Sequence, residues 1–349
     1  MSYLQALLFL IQSQFERYLP HEKKTIQLKT KAGDLTTDIY VPRFTARWRN
    51  RPRGVVLFIH GMSLMGKDDP RAINICRALA GVGFLCFAPA FDEIAALEMT
   101  TASLPRIREV IRTVSADATI CPEGQVNIFT ASFSAGFALM VAGEKEIAPK
   151  VRTLFLVGPP GEIQSTAQAL LGHQGVDMYG AFIFFKNFIY LSDGKRSPLI
   201  RAFELAAIDN WHKRLDAPEL TAYLKKQPRS VKKRFDLLCQ NAAERLRTWE
   251  HILPREKSGV LTLDILGSTA RLKTRSVYLL HGSTDDVIPP GQSELLSRKL
   301  EQNGKRHRLI VSPLITHGDA AFQPSLLIEI LRLLAVFADF FYQAQNRSN

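Results

Sequence analysis

The fold is decided by residues 126–136, which read VNIFTASFSAG. Four of the first five residues are β-branched or aromatic, a composition typical of a strand buried in a parallel sheet. A helical run follows at once and is expected to begin at Ser134, so a tight turn must join strand and helix. Ser132 and Gly136 supply the small residues that such a crowded turn requires on either side of Ser134. The sequence therefore predicts that Ser134 projects its hydroxyl from the turn as a nucleophile; an ordinary helix-capping serine is the alternative.

Strands alternate with helices on both sides of this turn. Alternating apolar residues predict two strands at residues 25–28 and 36–41. Short apolar runs predict further buried strands at residues 55–59, 84–88, 151–157, 276–280 and 307–311. Helical periodicity is found at residues 71–80, 105–115, 292–300 and 325–342. This alternation is typical of βαβ units, and it predicts an α/β fold with a doubly wound sheet.

The alternation stops after residue 160 and resumes near residue 271. The interval lacks clear strand patterns and holds helical runs, so we expect residues 161–270 to form a helical cap over one end of the sheet. Residues 21–160 and 271–349 then form the core. The apolar stretch at residues 179–191 either lines a hydrophobic pocket or packs within the cap. A basic cluster is interpreted as a solvated helix face or an anion site; it comprises Lys225, Lys226, Arg229, Lys232, Lys233 and Arg234.

The composition is that of an ordinary globular protein. The 349 residues are 46% hydrophobic and 22% charged, which excludes wholesale disorder and a polytopic membrane protein. Four scattered cysteines without zinc-binding spacing predict buried thiols in a reducing compartment, and hence a cytoplasmic location. The net charge of +12 favours an anionic partner or reflects a basic host proteome. Nucleic-acid binding is not predicted, because no aromatic–basic motif accompanies the charge.

Residues 1–20 are predicted to form an amphipathic helix. Leu4, Leu7, Leu8, Ile11 and Phe15 recur at helical spacing. The apolar core is too short to span a bilayer, and no Lys or Arg precedes it, so a secretory signal is not predicted. Two interpretations remain open: the helix packs on the body, or it makes a peripheral membrane contact together with the basic loops.

A second motif, His60-Gly61-Met62, follows the predicted strand at residues 55–59. The glycine lets the backbone turn sharply, so the N–H of Met62 is expected to point into the crevice at the carboxyl edge of the sheet. Together with the N–H of Ala135, it would form an oxyanion hole. His60 itself is interpreted as structural, because it precedes the serine in the chain.

Two further motifs follow the last two predicted strands. The segment GSTDDVIP at residues 282–289 places an acid just beyond a strand, and its spacing favours Asp285 over Asp286 as the group that orients an imidazole. His317, within Thr316-His317-Gly318, is the only histidine beyond the last predicted strand, and we expect it to act as the base. Ligand sites on open α/β sheets lie at this edge, so the motifs are predicted to meet there.

With these motifs the sequence resembles the α/β-hydrolase superfamily. The matching pieces are HGM, SFSAG, GSTDDVIP and THG, and the resemblance covers residues 25–160 and 271–342. It implies a mostly parallel eight-stranded sheet flanked by helices, with a cap inserted after the sixth strand. It also implies Ser134 as nucleophile, Asp285 as acid, His317 as base, and the N–H groups of Met62 and Ala135 as oxyanion donors. Ser132 departs from the family's first glycine.

The chemistry implied is acyl transfer through a serine–histidine–aspartate triad. We expect hydrolysis of a small, hydrophobic ester through an acyl-enzyme, with no metal and no cofactor, since metal-ligand clusters and glycine-rich phosphate loops are missing from the sequence. The alternatives are a peptidase, thioesterase or acyltransferase that uses the same triad, or a binding protein that has kept the fold without the activity.

Overall fold

The computed structural model describes residues 2–15, 18–43, 51–173, 177–214, 216–315 and 327–345. Its strands form one eight-stranded sheet in the order β1-β2-β4-β3-β5-β6-β7-β8. Only β2 runs antiparallel to both of its neighbours, and β3 to β8 are mutually parallel. The mostly parallel sheet is therefore confirmed. The strands are β1 (His21–Leu28), β2 (Leu35–Pro42), β3 (Val55–Ile59), β4 (Leu85–Pro89), β5 (Val126–Ala131), β6 (Val151–Val157), β7 (Ser276–Gly282) and β8 (His307–Ser312).

The central strands are apolar throughout because helices cover both faces of the sheet. Every residue of β3 and β7 is buried, whereas the edge strand β1 is mostly exposed. Side chains alternate between two layers: Phe129 and Phe155 stack at 4.6 Å on one face, and the neighbouring Ile128 and Leu154 belong to the other. This two-sided burial explains why the strands read as apolar runs rather than as alternating patterns.

Helices precede and follow the strands of the core, as predicted. In the first half of the chain they are α1 (Ser2–Phe15), α2 (Pro70–Gly81), α3 (Asp92–Ala95), α4 (Ser103–Ala116) and α5 (Phe133–Ala142). Among the residues described between β6 and β7 there are eight α-helices: α6 (Ile163–Gly172), α7 (Tyr179–Phe188), α8 (Tyr190–Asp193), α9 (Pro198–Trp211), α10 (Pro218–Lys225), α11 (Arg229–Gln240), α12 (Ala242–Ile252) and α13 (Ile265–Ser268). The last two are α14 (Gly291–Gln302) and α15 (Leu327–Ala344). Helices α1, α2 and α15 pack on one face of the sheet, and α4, α5 and α14 on the other.

The N-terminal helix α1 packs on α2 and α15, but not through the apolar stripe that the sequence suggested. Phe9 and Leu10 are buried, whereas Leu4, Leu7 and Ile11 are 41–59% exposed. The ring of Phe9 lies among aromatic side chains of α15, and this tertiary contact sets which face turns inward. Among the described helices, none is both long and apolar enough to cross a bilayer.

The segment between β6 and β7 contains no strand among its described residues. We call it the helical insertion, residues 161–270. Its apolar stretch lies inside the insertion: Phe184, Phe185 and Phe188 are buried, and Phe185 contacts Phe203 of α9 at 4.9 Å. Of the two interpretations given above, packing within the insertion therefore holds for these side chains.

One buried cation organises the insertion. Arg245 of α12 is 2% exposed, and its guanidinium donates to the carbonyls of Leu171, His173, Leu238 and Cys239. These acceptors lie at or just beyond the carboxyl end of α6 and near that of α11, where helix carbonyls lack intrahelical partners and carry partial negative charge. The guanidinium therefore ties three helices together through backbone carbonyls.

Replacing Arg245 by methionine is expected to lower the free energy of unfolding by about 3 kcal/mol, because buried carbonyls would lose their donors. Urea denaturation monitored by circular dichroism measures the change. The matched control is Arg247→Met, two residues away, whose exposed guanidinium pairs with Glu244 at the helix surface; it should change stability by less than about 0.5 kcal/mol. Equal effects of the two substitutions would contradict the organising role.

Candidate active site

The turn between β5 and α5 consists of Ser132. This partly exposed residue has φ 60° and ψ −143°, a backbone conformation rarely adopted by residues other than glycine. Its N–H donates to the carbonyl of Val157 at 2.7 Å, which fixes the turn to the end of β6. Such strain costs about 1–3 kcal/mol and occurs mostly at functional sites. We call this one-residue turn, formed by Ser132, the β5 turn.

The structure corrects the position predicted for Ser134. Helix α5 begins at Phe133, so Ser134 lies inside its first turn and is fully buried. Its hydroxyl donates to the carbonyl of His60 at 2.8 Å and does not project from the turn. Thr130 and Ser134 lie two residues before and two residues after the strained Ser132, so the pattern of small flanking residues fits both serines.

Ala135, the other predicted oxyanion donor, lies inside helix α5. Its N–H donates to the carbonyl of Ser132 at 2.9 Å within the first turn of α5. Phe133, by contrast, is the first residue of the helix, and the N–H at that position has no intrahelical acceptor. The N–H beside the β5 turn therefore belongs to Phe133.

The β3 turn, residues 60–62, lies directly against the β5 turn. A Cβ added to Gly61 would lie 3.3 Å from the carbonyl oxygen of Ala131 and 3.4 Å from Cβ of Ser132. This close approach favours glycine, because a side chain here would have to displace these atoms by a few tenths of an ångström. Met62, whose N–H was predicted to be an oxyanion donor, directly follows this glycine.

His60 is structural, as expected. Its buried ring accepts the N–H of Phe91 at Nε2 (3.1 Å), so Nδ1 carries the proton and donates to the carbonyl of Gly61 at 3.0 Å. Burial lowers the pKa of His60, and the hydrogen bond to Gly61 offsets only part of that effect. The imidazole is therefore neutral and ties the β3 turn to the residues after β4.

Asp285 lies just beyond β7 and is held in one orientation. Its Oδ1 accepts the N–H groups of Val287 and Ile288 at 3.0 and 2.9 Å. The other oxygen, Oδ2, lies 3.4 Å from Nε2 of His281 and 3.4 Å from the position of a Cβ on Gly158, the residue that follows β6. The carboxylate is thus fixed at the carboxyl edge of the sheet, on the same edge as the β3 and β5 turns. The predicted base, His317, lies outside the described residues.

Apolar side chains surround the β3 turn on the side of the helical insertion. Tyr179 and Ile183 of α7 form a buried cluster with Leu97 and Ala207. Half-buried apolar side chains pack against this cluster: Met62, Leu64, Met99, Phe182 and Trp211. The sequence predicted only the apolar character of α7 here. It did not predict the cluster, because the cluster joins residues from four separate segments.

The lowered pKa of His60 predicts a pH-dependent contribution to stability. In the unfolded chain a histidine titrates near pH 6.5. Below that pH the unfolded state binds a proton that the folded state resists, so the free energy of unfolding falls as the pH falls. Between about pH 7.5 and 5.5 the wild-type protein should lose about 1 kcal/mol more stability than a His60→Gln variant. Urea denaturation at both pH values tests this; equal losses would contradict it.

Comparison with known proteins gives solved structures only: no family model and no curated protein matches the sequence. An acylaminoacyl peptidase of Pyrococcus horikoshii has 12% identity and a TM-score of 0.55, over 96% of this chain and 44% of its own, so this chain spans less than half of that protein. An esterase of Pyrobaculum calidifontis has 13% identity and a TM-score of 0.55, over 98% of this chain and 92% of its own. An esterase of Pyrococcus furiosus has 11% identity and a TM-score of 0.50. With the strand order described above, these similarities show that the chain has the fold of the α/β-hydrolase superfamily.

Proposed function

We propose that this chain is a serine hydrolase with Ser132 as its nucleophile. The observation that carries the proposal is the strained, partly exposed serine between a buried strand and the first turn of a helix. In this arrangement the hydroxyl leaves the sheet at its carboxyl edge, where ligands of α/β proteins bind. Ser134 has neither property, because it is buried and lies inside helix α5.

The N–H groups of Phe133 and Met62 are the proposed oxyanion donors. Phe133 begins α5, so its N–H lies at the positive end of the helix dipole. Met62 follows the glycine that contacts the β5 turn. Two N–H groups on either side of one serine stabilise the negative charge that develops on a carbonyl oxygen during attack.

Asp285 and His317 complete the proposed triad. The two backbone hydrogen bonds at Oδ1 of Asp285 support its role, because they fix the direction of the carboxylate. His317 is proposed from chain order alone, since it follows the acid and the last strand. In the reaction, His317 would accept the proton of Ser132 as its oxygen attacks the ester carbonyl. It would give that proton to the alcohol that leaves as the ester C–O bond breaks. Asp285 would stabilise the resulting imidazolium, and water would then release the acyl group.

An ester is the proposed substrate class. Two esterases share the fold over 92% of their own length, whereas the peptidase is matched over 44%. The half-buried apolar side chains beside Met62 fit a hydrophobic acyl or alcohol group. An amide substrate is the second candidate, since the peptidase also shares the fold. Rates with matched p-nitrophenyl esters and p-nitroanilides separate the two.

The nucleophile is tested by covalent labelling with a fluorophosphonate probe. The wild-type protein and Ser134→Ala should be labelled, and Ser132→Ala should not, because only the Ser132 hydroxyl is expected to attack phosphorus. Peptide mass spectrometry should place the adduct on Ser132. An adduct on Ser134 would overturn the assignment, and a wild-type protein that resists labelling would favour a binding protein without activity.

The acid is tested by two neighbouring substitutions. Asp285→Asn should lower kcat/KM for a p-nitrophenyl ester by about 10³-fold, because the imidazole would lose its orienting negative charge. Asp286→Asn, at the half-buried neighbouring position, should change it by less than about threefold. Steady-state kinetics measure both. A larger loss in the Asp286 variant would move the acid to that residue.

A further inference from the structure

Three successive carbonyls of the β3 turn each accept a hydrogen bond from a side chain. The carbonyl of His60 accepts from Ser134 Oγ at 2.8 Å, and that of Gly61 accepts from Nδ1 of His60 at 3.0 Å. The carbonyl of Met62 accepts from the hydroxyl of Tyr179 at 3.3 Å. The donors come from helix α5, from the turn itself and from helix α7 of the insertion.

These bonds fix the direction of the N–H of Met62. A peptide group is planar, so holding a carbonyl also holds the N–H of the next residue. His60 thus fixes the Gly61–Met62 peptide, which contains the proposed oxyanion donor. Ser134 and Tyr179 fix the peptides before and after it. Donors that are oriented in advance stabilise a transition state without reorganising during the reaction.

Tyr179 is held firmly enough to act as such a donor. Its ring is buried, is one of the four residues of the apolar cluster, and contacts the ring of Trp211 at 5.8 Å. Its backbone N–H is accepted by the carboxylate of Asp177 at 2.8 Å, which anchors the start of α7. Burial raises the pKa of Tyr179, so the hydroxyl keeps its proton at any working pH and remains a donor.

A second chain of contacts joins the insertion to the loop that follows the β3 turn. The guanidinium of Arg71 lies 5.0 Å above the ring of Trp211 and pairs with Asp69 at 2.9 Å. Asp69 also accepts the hydroxyl of Ser63 at 2.7 Å, and Ser63 directly follows Met62. The insertion therefore contacts this loop at Met62 through Tyr179, and again near Ser63 through Trp211.

We propose that Tyr179 is a positioning residue for catalysis, through which the helical insertion keeps the oxyanion donor of Met62 in place. The inference rests on the proposed function, since it assigns a role beside the proposed nucleophile. It makes the insertion part of the catalytic apparatus in addition to its apolar contacts with the site. It also gives Ser134 a positioning role from the opposite side of the β3 turn.

The test removes one hydroxyl at a time. Tyr179→Phe keeps the ring and its packing but deletes the donor to Met62. Tyr223→Phe is the matched control, because its hydroxyl also donates to a backbone carbonyl, that of Pro198 at 3.1 Å, within the insertion. For a p-nitrophenyl ester, Tyr179→Phe should lower kcat by about tenfold with KM unchanged. It should lower the unfolding midpoint no more than Tyr223→Phe does, because both variants lose one hydrogen bond from a hydroxyl to a carbonyl. Tyr223→Phe should change kcat by less than about twofold.

A trifluoromethyl ketone supplies a readout that a merely structural role would not move. This inhibitor forms a tetrahedral oxyanion with the nucleophilic serine, so its inhibition constant should rise in Tyr179→Phe by the factor lost from kcat/KM. An unchanged constant, or an unfolding midpoint that falls clearly further in Tyr179→Phe than in Tyr223→Phe, would overturn the positioning role.

Ser132→Ala in the same assays separates this inference from the proposed function. If Ser132→Ala keeps its activity, the proposed function itself fails. If Ser132→Ala is inactive while Tyr179→Phe has the kcat of the wild-type protein, only the role of Tyr179 fails.

Discussion

The candidate site depends on the close approach of two turns at the ends of adjacent parallel strands. Residues 56–59 of β3 pair in register with residues 127–130 of β5, so both strands end at the same level of the sheet. Gly61 then lies within van der Waals distance of Ser132, and the hydroxyl of Ser134 joins α5 to the carbonyl of His60. The hydrogen bonds at the two turns, each contributing about 1 kcal/mol, offset the backbone strain at Ser132. A side chain at position 61 would press on the β5 turn, because its Cβ would lie 3.3 Å from the carbonyl oxygen of Ala131.

The helical insertion is docked to the core by polar contacts as well as by its apolar face. The side-chain amide of Asn187 on α7 donates to the carbonyl of Leu97 at 2.8 Å and accepts the N–H of Met99 at 2.9 Å. Leu97 has φ 57°, so the backbone is bent to meet this amide. With Tyr179 at the other end of the same helix, α7 contacts the core at both of its ends. Lifting the insertion would break these bonds and expose the apolar cluster, so it forms a fixed wall of the site.

The sequence was sufficient to predict the strands of the sheet, but it did not predict which serine occupies the strained position at the turn after β5. The strands at residues 55–59 and 151–157 were predicted with their observed bounds, because burial on both faces leaves a continuous apolar run. The sequence predicted Ser134 as the nucleophile, whereas we propose Ser132. The sequence does not separate the two, because SFSAG offers serines at both positions and a positive φ leaves no trace in the sequence. The sequence analysis explained Gly136 by crowding in the turn. In the structure a Cβ at this position would lie 2.7 Å from Ile265 of the insertion, so the contact with the insertion favours glycine. The sequence also did not predict which face of α1 packs on the core, because aromatic contacts between α1 and α15 determine it.

Ser132 and Ser134 differ in burial and backbone conformation, and the position of Ser134 supports the strained conformation of Ser132. Ser132 must remain accessible in a strained backbone, which needs a neighbouring anchor to hold the strain. Ser134 supplies that anchor only because it is buried in the first turn of α5, where its hydroxyl reaches the carbonyl of His60. A glycine at position 134 would satisfy the steric demand of the turn but would leave this carbonyl without its donor. The serine therefore does more than satisfy a size limit: it links the helix that begins at the proposed nucleophile to the turn that carries the opposing N–H.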